Sequence, residues 1–321
     1  MDFSSIDDKV QFIESSQPKI LSQLLTAPYK TNLEKTRSIF RWITEHISYR
    51  VRGYESRKAA LSARYVVSDD DGDDSSDLKP LDERVADIVL KKRSGLCDGY
   101  ARLFKTLCEY AGIPCEVITG YARNDMDQHV KRFGCNHSWN AVFIDSAWHL
   151  LDVTWASGFI SWGGNEFIRH FNEQYFMTLP EDFIQDHYPD DLRWVLLSAP
   201  DLPSEFKRSP YKQKSFIKYK ITSYSPSGGV IEASIGDTLN FELQTASSSY
   251  DHQIVPDLFF DSTHFFPNST KAFLDPVISG EDSHDANNIS YSYVVNSPSV
   301  DWLFIKYNDD VILRYKLNVR K

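Results

Sequence analysis

The spacing of apolar residues changes period along this chain, and the change divides it. From Thr31 onward apolar residues recur every three or four positions; Ile39, Phe40, Ile43 and Ile47 make one stripe, as an amphipathic helix requires. Thr31 and Glu34 stand at capping-box spacing, which starts such a helix by satisfying two end N–H groups. Residues 82–93 predict a further short helix. After Cys97, the residues Ala101, Phe104, Leu107, Cys108 and Ala111 again share one helical face. Gly112, followed by Ile113-Pro114, should stop it, because Gly accepts the left-handed stop and Pro cannot continue a helix.

Beyond this point the period falls to two. Trp139, Ala141 and Phe143 alternate with Ser138, Asn140, Val142 and Ile144. The run from Trp148 to Trp155 places Trp148, Leu150, Asp152 and Thr154 on one face, and a two-residue turn at Asp145-Ser146 would join the runs as a hairpin. Nearer the C-terminus, Leu239, Phe241 and Leu243 alternate with polar residues. Val311, Leu313, Tyr315, Leu317 and Val319 likewise alternate with Ile312, Arg314, Lys316, Asn318 and Arg320. Turn signals at Ser227-Gly228-Gly229, Gly236-Asp237 and Asn308-Asp309 separate these strands. The pattern predicts an α+β protein: helices packed on an antiparallel sheet, followed by an antiparallel immunoglobulin-like β-sandwich without cysteine. The Pro-, Ser- and charge-rich segment Ser198–Lys214 predicts a linker, dividing residues 1–200 from 201–321.

Composition narrows the function classes. With 321 residues the chain can bury two cores, and 41% hydrophobic content supports a globular protein. No apolar run approaches the roughly 20 residues that cross a bilayer, so no membrane partner is expected. Met1-Asp2-Phe3-Ser4-Ser5 has neither a basic segment nor an apolar core, which predicts no secretory signal and a cytoplasmic location. Three of the four cysteines crowd into Cys97–Cys115, arguing against a disulfide framework. A net charge of −10 argues against nucleic-acid binding. Much of that charge is local: Asp69, Asp70, Asp71, Asp73, Asp74 and Asp77 lie in a Gly- and Ser-interrupted loop, residues 66–80, expected to be solvated. A calcium loop is the sharper alternative, but with Gly72 at the sixth place Val67 and Leu78 hold the first and twelfth, which fails the EF-hand pattern.

The chemistry is concentrated in three short strings. Cys97 lies in Ser94-Gly95-Leu96-Cys97-Asp98-Gly99-Tyr100, at a helix start whose unpaired N–H groups and dipole favour a thiolate. His137 lies in Asn136-His137-Ser138-Trp139-Asn140, and Asp152 in Leu150-Leu151-Asp152-Val153-Thr154-Trp155. Pairing Ile144 with Ala147 puts Trp139 opposite Asp152 and His137 opposite Thr154. His137 and Asp152 then become diagonal neighbours on one face, roughly 7–8 Å apart at Cα. A thiol nucleophile, an imidazole to take its proton and a carboxylate to orient the imidazole are the parts of cysteine acyl transfer. Gly95 and Gly99 are expected to allow close approach of a substrate chain. Trp139 and Trp155 are candidate walls of an acyl channel, although aromatics at such positions serve packing at least as often.

The bland readings stand beside these. A solitary cysteine is far more often core than catalyst; Cys108 and Cys115 read so, while Cys135, two residues before His137, could line a cleft. His149 faces away from Asp152, His129 lies in a polar loop, and His46, His170 and His187 flank helical stretches. His252, His264 and His284 have no cysteine nearby. Neither His-x-x-x-His nor Cys-x-x-Cys occurs, so no metal and no cofactor is expected.

Taken together, these strings resemble the transglutaminase-like superfamily of the papain-like fold. The helix Arg37 to Tyr49, reading Arg-Ser-Ile-Phe-Arg-Trp-Ile-Thr-Glu-His-Ile-Ser-Tyr, is typical of what precedes the cysteine in such domains. Residues Gln174 to Ile184, then His187-Tyr188-Pro189 and Trp194, are similar to the kyphoscoliosis-peptidase branch, which also carries a β domain after the catalytic one. The resemblance implies a papain-like core, a Cys97–His137–Asp152 triad and an oxyanion hole that includes the Cys97 N–H, with Tyr49 a candidate second donor. It implies action on amide bonds of a protein or peptide substrate through a thioester, as peptidase, deamidase or transglutaminase-type acyltransferase. The C-terminal β domain would stabilise the chain or bind a protein partner. The alternative is a non-enzymatic scaffold. Leu96 and Asp98 replace the Gln and Trp of animal cross-linking transglutaminases, so the calcium sites and glutamine selectivity of those enzymes do not carry over.

Overall fold

The stripe around Ile39 forms the spine of the first of two compact units. The computed structural model describes residues 2–51, 79–123, 133–161, 164, 166–198, 200–246, 270–274 and 288–320. One unit comprises Met1–Thr119 and His137–Phe183, the other Gly120–Asn136 and Ile184–Lys321. Of the acidic loop, only Lys79 and Pro80 are described; His129, His252, His264 and His284 also lie outside the described residues.

The first unit opens with α1 (Ser4–Val10), α2 (Pro18–Thr26) and α3 (Asn32–His46). The capping box starts α3: the Glu34 N–H donates to Thr31 Oγ1 and the Thr31 N–H to Glu34 Oε2 (3.2 and 3.1 Å). After α3, β1 (Ser48–Tyr49) runs parallel to β2 (Ser94–Gly95), which is reached through the expected helix Leu81–Lys92. The helix Cys97–Tyr110 follows and ends where Gly112 takes a φ of 74°. Its buried face, Leu103, Phe104, Leu107 and Cys108, joins Leu21, Leu25, Ile39, Phe40 and Ile43 in one core.

Against this core lies the sheet β5-β4-β3, built from β3 (Cys115–Ala122), β4 (His137–Ile144) and β5 (Ala147–Leu151). Asp145 and Ser146 both have positive φ (50° and 65°), the turn geometry that matches strand twist. The register runs from Ile144↔Ala147 to Asn140↔Leu151, as the alternation predicts. There the expectation fails. The second strand stops at Leu151 instead of reaching Trp155, and Val153–Ser157 is a short helix, so Thr154 is not opposite His137. The cause is Asp152, whose carboxylate accepts the Thr154 and Trp155 N–H groups and so caps a helix where a ladder would otherwise continue. Gly158 ends that helix at φ 148°, where a Cβ would lie 2.1 Å from the Ile168 carbonyl oxygen. A small hairpin of β6 (Gly158–Ile160) and β7 (Phe167–Arg169) and a single 3₁₀ turn at Glu173–Tyr175 complete the segment.

In the second unit, Gly120, Tyr121 and Ala122 pair antiparallel with β8 (His187–Pro189). The segment Ser198–Lys214 is packed rather than linker-like: Phe206 and Tyr211 are buried, and β9 (Tyr211–Lys212) pairs with a later strand. Two large aromatic anchors outweigh its Pro- and Ser-rich composition. The remaining strands are β10 (Ile221–Ser225), β11 (Val230–Ser234), β12 (Thr238–Thr245), β13 (Thr270–Leu274), β14 (Asn288–Val294), β15 (Val300–Tyr307) and β16 (Asp310–Arg320).

These strands form the sheets β10-β12-β14 and β11-β16-β15-β13, with β9 also on β16. The first is antiparallel throughout. The second is not, because β11 runs parallel to β16 and β13 parallel to β15. No hairpin joins either of those pairs, so direction is free, and turn signals alone overstate antiparallel pairing. Phe241, Leu243 and Tyr291 of one sheet share a core with Leu303, Leu313, Tyr315 and Leu317 of the other. Among the described residues, no helix is long and apolar enough to cross a membrane.

Candidate active site

Cys97 is the first residue of its helix and half-buried. Leu96, which precedes it in extended conformation, offers no side-chain cap. The first-turn N–H groups are therefore left for another acceptor, the arrangement an oxyanion hole uses. The approach to Cys97 is fixed on both sides: Ser48 N donates to Arg93 O (3.0 Å) and Arg50 N to Gly95 O (2.9 Å). The lack of a side chain is required by packing at Gly99 more than at Gly95. A Cβ at Gly99 would lie 2.9 Å from Val89 Cγ2, and one at Gly95 would lie 3.4 Å from the same atom.

His137 stands at the start of β4 and Asp152 just past the end of β5, both buried. Nε2 of His137 meets Asp152 Oδ2 at 2.6 Å. The other carboxylate oxygen, Oδ1, accepts from Thr154 N (2.8 Å) and Trp155 N (3.0 Å). With Nε2 taken, Nδ1 is the nitrogen left to serve the Cys97 sulfur, and Cys97 adds to the interactions that hold the imidazole proton. Burial alone would drive His137 towards its neutral form. The Asp152 charge and hydrogen bond, with a smaller contribution from Cys97, outweigh burial and push its pKa up to about 10. At neutral pH the imidazole keeps its proton.

The two tryptophans differ. Trp139 is 1% exposed, with Phe183 packed at 5.9 Å and the imidazole at 6.1 Å, so it supports His137 and has no face left for a substrate. Trp155 is half-buried, with its ring 5.4 Å from the imidazole and the edge of Tyr175 against it at 5.5 Å. The ring of Tyr49 packs near Tyr100 and Phe167 (6.3 and 6.4 Å). Cys108 and Cys115 are buried as read, and burial, followed by the neighbouring Cys108, raises the Cys115 thiol well above its ordinary value. Cys135 is half-buried and belongs to the second unit.

Asn140 was given no role by sequence reasoning. It is fully buried on β4, and its Nδ2 donates to Ala101 O of the Cys97 helix (3.0 Å) and to Glu116 O of β3 (3.1 Å). One amide thus fixes the strand bearing His137 against the helix bearing Cys97. The signal was available: a polar residue amid Trp139, Ala141 and Val142 must find partners if buried.

Residues 19–153 match the family model of the transglutaminase-like superfamily, and the chain belongs to that superfamily. Within it the chain falls beside the kyphoscoliosis-peptidase branch. It is 32% identical over 221 residues to kyphoscoliosis peptidase of Mus musculus, covering 68% of this chain and 30% of that protein. The Homo sapiens protein of the same name is 32% identical over 220 residues, with the same coverage. Hillarin of Drosophila melanogaster is 28% identical over 235 residues, covering 68% of this chain and 26% of hillarin. The chain spans under a third of the length of these relatives.

Proposed function

We propose that this protein is a Cys-His-Asp thiol enzyme acting on amide bonds of a protein or peptide through a thioester. The observation that carries the proposal is the divided carboxylate of Asp152. One oxygen is tied to a helix start and the other holds Nε2, which supports a role for the remaining nitrogen, Nδ1, in serving Cys97. In the first half-reaction the Cys97 sulfur attacks the amide carbonyl carbon, and the oxyanion is stabilised by the Cys97 N–H. His137 then gives its proton to the leaving amine as the C–N bond breaks. In the second, water gives a proton to His137 and attacks the thioester; the C–S bond breaks and the sulfur is released as thiolate. An amine in place of water gives cross-linking instead of hydrolysis. The half-buried face of Trp155 walls the acyl site, the C-terminal sheets act as an immunoglobulin-like partner-binding module, and the protein works in the cytoplasm.

The test is thiol labelling. Cys97 should react with iodoacetamide faster than Cys108 and Cys115 near neutral pH. His137→Ala should abolish the advantage and Asp152→Asn weaken it. Equal labelling of all cysteines in the folded protein would leave the scaffold reading in its place.

A further inference from the structure

Arg37 lies on α3, far in sequence from the triad, and its side chain is only 3% exposed. Its guanidinium holds two carboxylates by its two edges. Nε and Nη2 donate to Oδ1 and Oδ2 of Asp7 (2.9 and 2.7 Å), and Nη1 and Nη2 to Oε1 and Oε2 of Glu173 (2.6 and 2.7 Å). The rings of Phe3 and Phe176 each lie 4.8 Å from its central carbon. Paired forks with stacked rings fix a guanidinium in position and plane, which a flexible ammonium cannot reproduce.

The second carboxylate leads to the triad. Glu173 opens the 3₁₀ turn Glu173–Tyr175, and its own carbonyl accepts the Phe176 N–H (3.0 Å). Two residues on, the Tyr175 carbonyl accepts the backbone N–H of Asp152 (3.0 Å), and the Tyr175 ring sets its edge against Trp155. The turn therefore grips Asp152 at its backbone while the Asp152 carboxylate grips His137.

Resting on the thiol-enzyme reading, we propose that Arg37 is a positioning residue for the Asp152–His137 pair, acting through Glu173 and the turn it opens. Asp7, on the other edge of the guanidinium, ties α1 to α3 and has no part in that turn. The two carboxylates therefore separate positioning from stability.

The experiment compares Glu173→Gln with Asp7→Asn in the full chain, following iodoacetamide labelling of Cys97 as a function of pH together with the urea unfolding midpoint. The Glu173 side chain is 59% exposed, so its substitution leaves the core intact. Glu173→Gln is expected to move the rising limb of the labelling profile to higher pH and slow labelling at pH 7 by about three- to tenfold. Asp7→Asn is expected to lower the midpoint while leaving the profile in place. A Glu173→Gln profile that superimposes on the wild type, or an equal displacement by Asp7→Asn, overturns the proposal. A wild-type Cys97 no faster than Cys108 overturns the thiol-enzyme reading itself, and shows it before any variant is compared.

Discussion

A carboxylate that caps a helix with one oxygen and holds an imidazole with the other can be dissected one oxygen at a time. Asp152→Asn keeps an acceptor for the Thr154 and Trp155 N–H groups but removes the charge; Asp152→Ala removes both. Loss of the cap should make the Ala variant less stable than the Asn variant by about 1 kcal/mol in urea unfolding. Equal midpoints would show that the cap contributes nothing. The charge is read from His137 itself. Its folded-state pKa, about 10, lies above the 6.5 of an unperturbed imidazole. Folding therefore favours the protonated ring, and that contribution is complete below about pH 6.5 and is lost as pH rises through about 10. Imidazole NMR at pH 8 should show a protonated His137 in the wild type and a neutral one in Asp152→Asn; a protonated ring in both would remove Asp152 as the cause. The pairing of His137 with Asp152 was legible in the sequence because strand alternation and hairpin register bring the two residues to one face. Glu173 was not, since its partner is an arginine 136 positions away, and for Asn140 the sequence signals a polar residue in an apolar run but not its backbone partners.

At the scale of elements, short-range signals were legible and close approaches were not. The capping box of α3, the stop at Gly112 and the turn at Asp145-Ser146 each depend on residues a few positions apart, and each stands where the pattern puts it. The helix Val153–Ser157 was missed because Val, Thr and Trp favour strands and five residues show no helical period. Gly99 shows the same limit: its flanking place suggested access to the nucleophile, yet the constraint comes from Val89 on the preceding helix. Gly99→Ala should therefore destabilise the protein by about 1–3 kcal/mol despite the better helix propensity of alanine. Val89→Ala removes the obstructing methyls, so the double variant should cost less than the two single ones added together, with a coupling of about 0.5–3 kcal/mol. Strict additivity in denaturant unfolding would mean that the two helices are not packed through this glycine.

At the scale of the whole molecule, alternation identified C-terminal strands but carries no information on how many of their faces are covered. On a sheet covered on one side only, the alternation would put Arg314 in solvent, opposite Leu313 and Tyr315. Arg314 is instead fully buried, because a second core within the same unit, with Phe133, Tyr188, Phe206, Tyr211 and Trp302, lies on that face. The sheet is thus packed on both sides, and one-sided alternation no longer tells inside from outside. The guanidinium sits among the rings of Tyr188 and Tyr211, 4.9 and 4.6 Å from their centres, and its Nη1 donates to the Asp190 carbonyl (2.8 Å). Tyr211 in turn donates its hydroxyl proton to Asp190 Oδ1 (2.6 Å), so one arginine organises the loop after β8 and the strand β9 together. The two placements give opposite expectations for Arg314→Lys. On a solvated face the substitution should change stability by no more than about 0.5 kcal/mol. In the aromatic cage, an ammonium loses both the stacking plane and the fork while leaving a charge to be buried, and the cost should be about 2–4 kcal/mol. A urea midpoint close to that of the wild type would return Arg314 to the surface and with it the one-sided reading of β16.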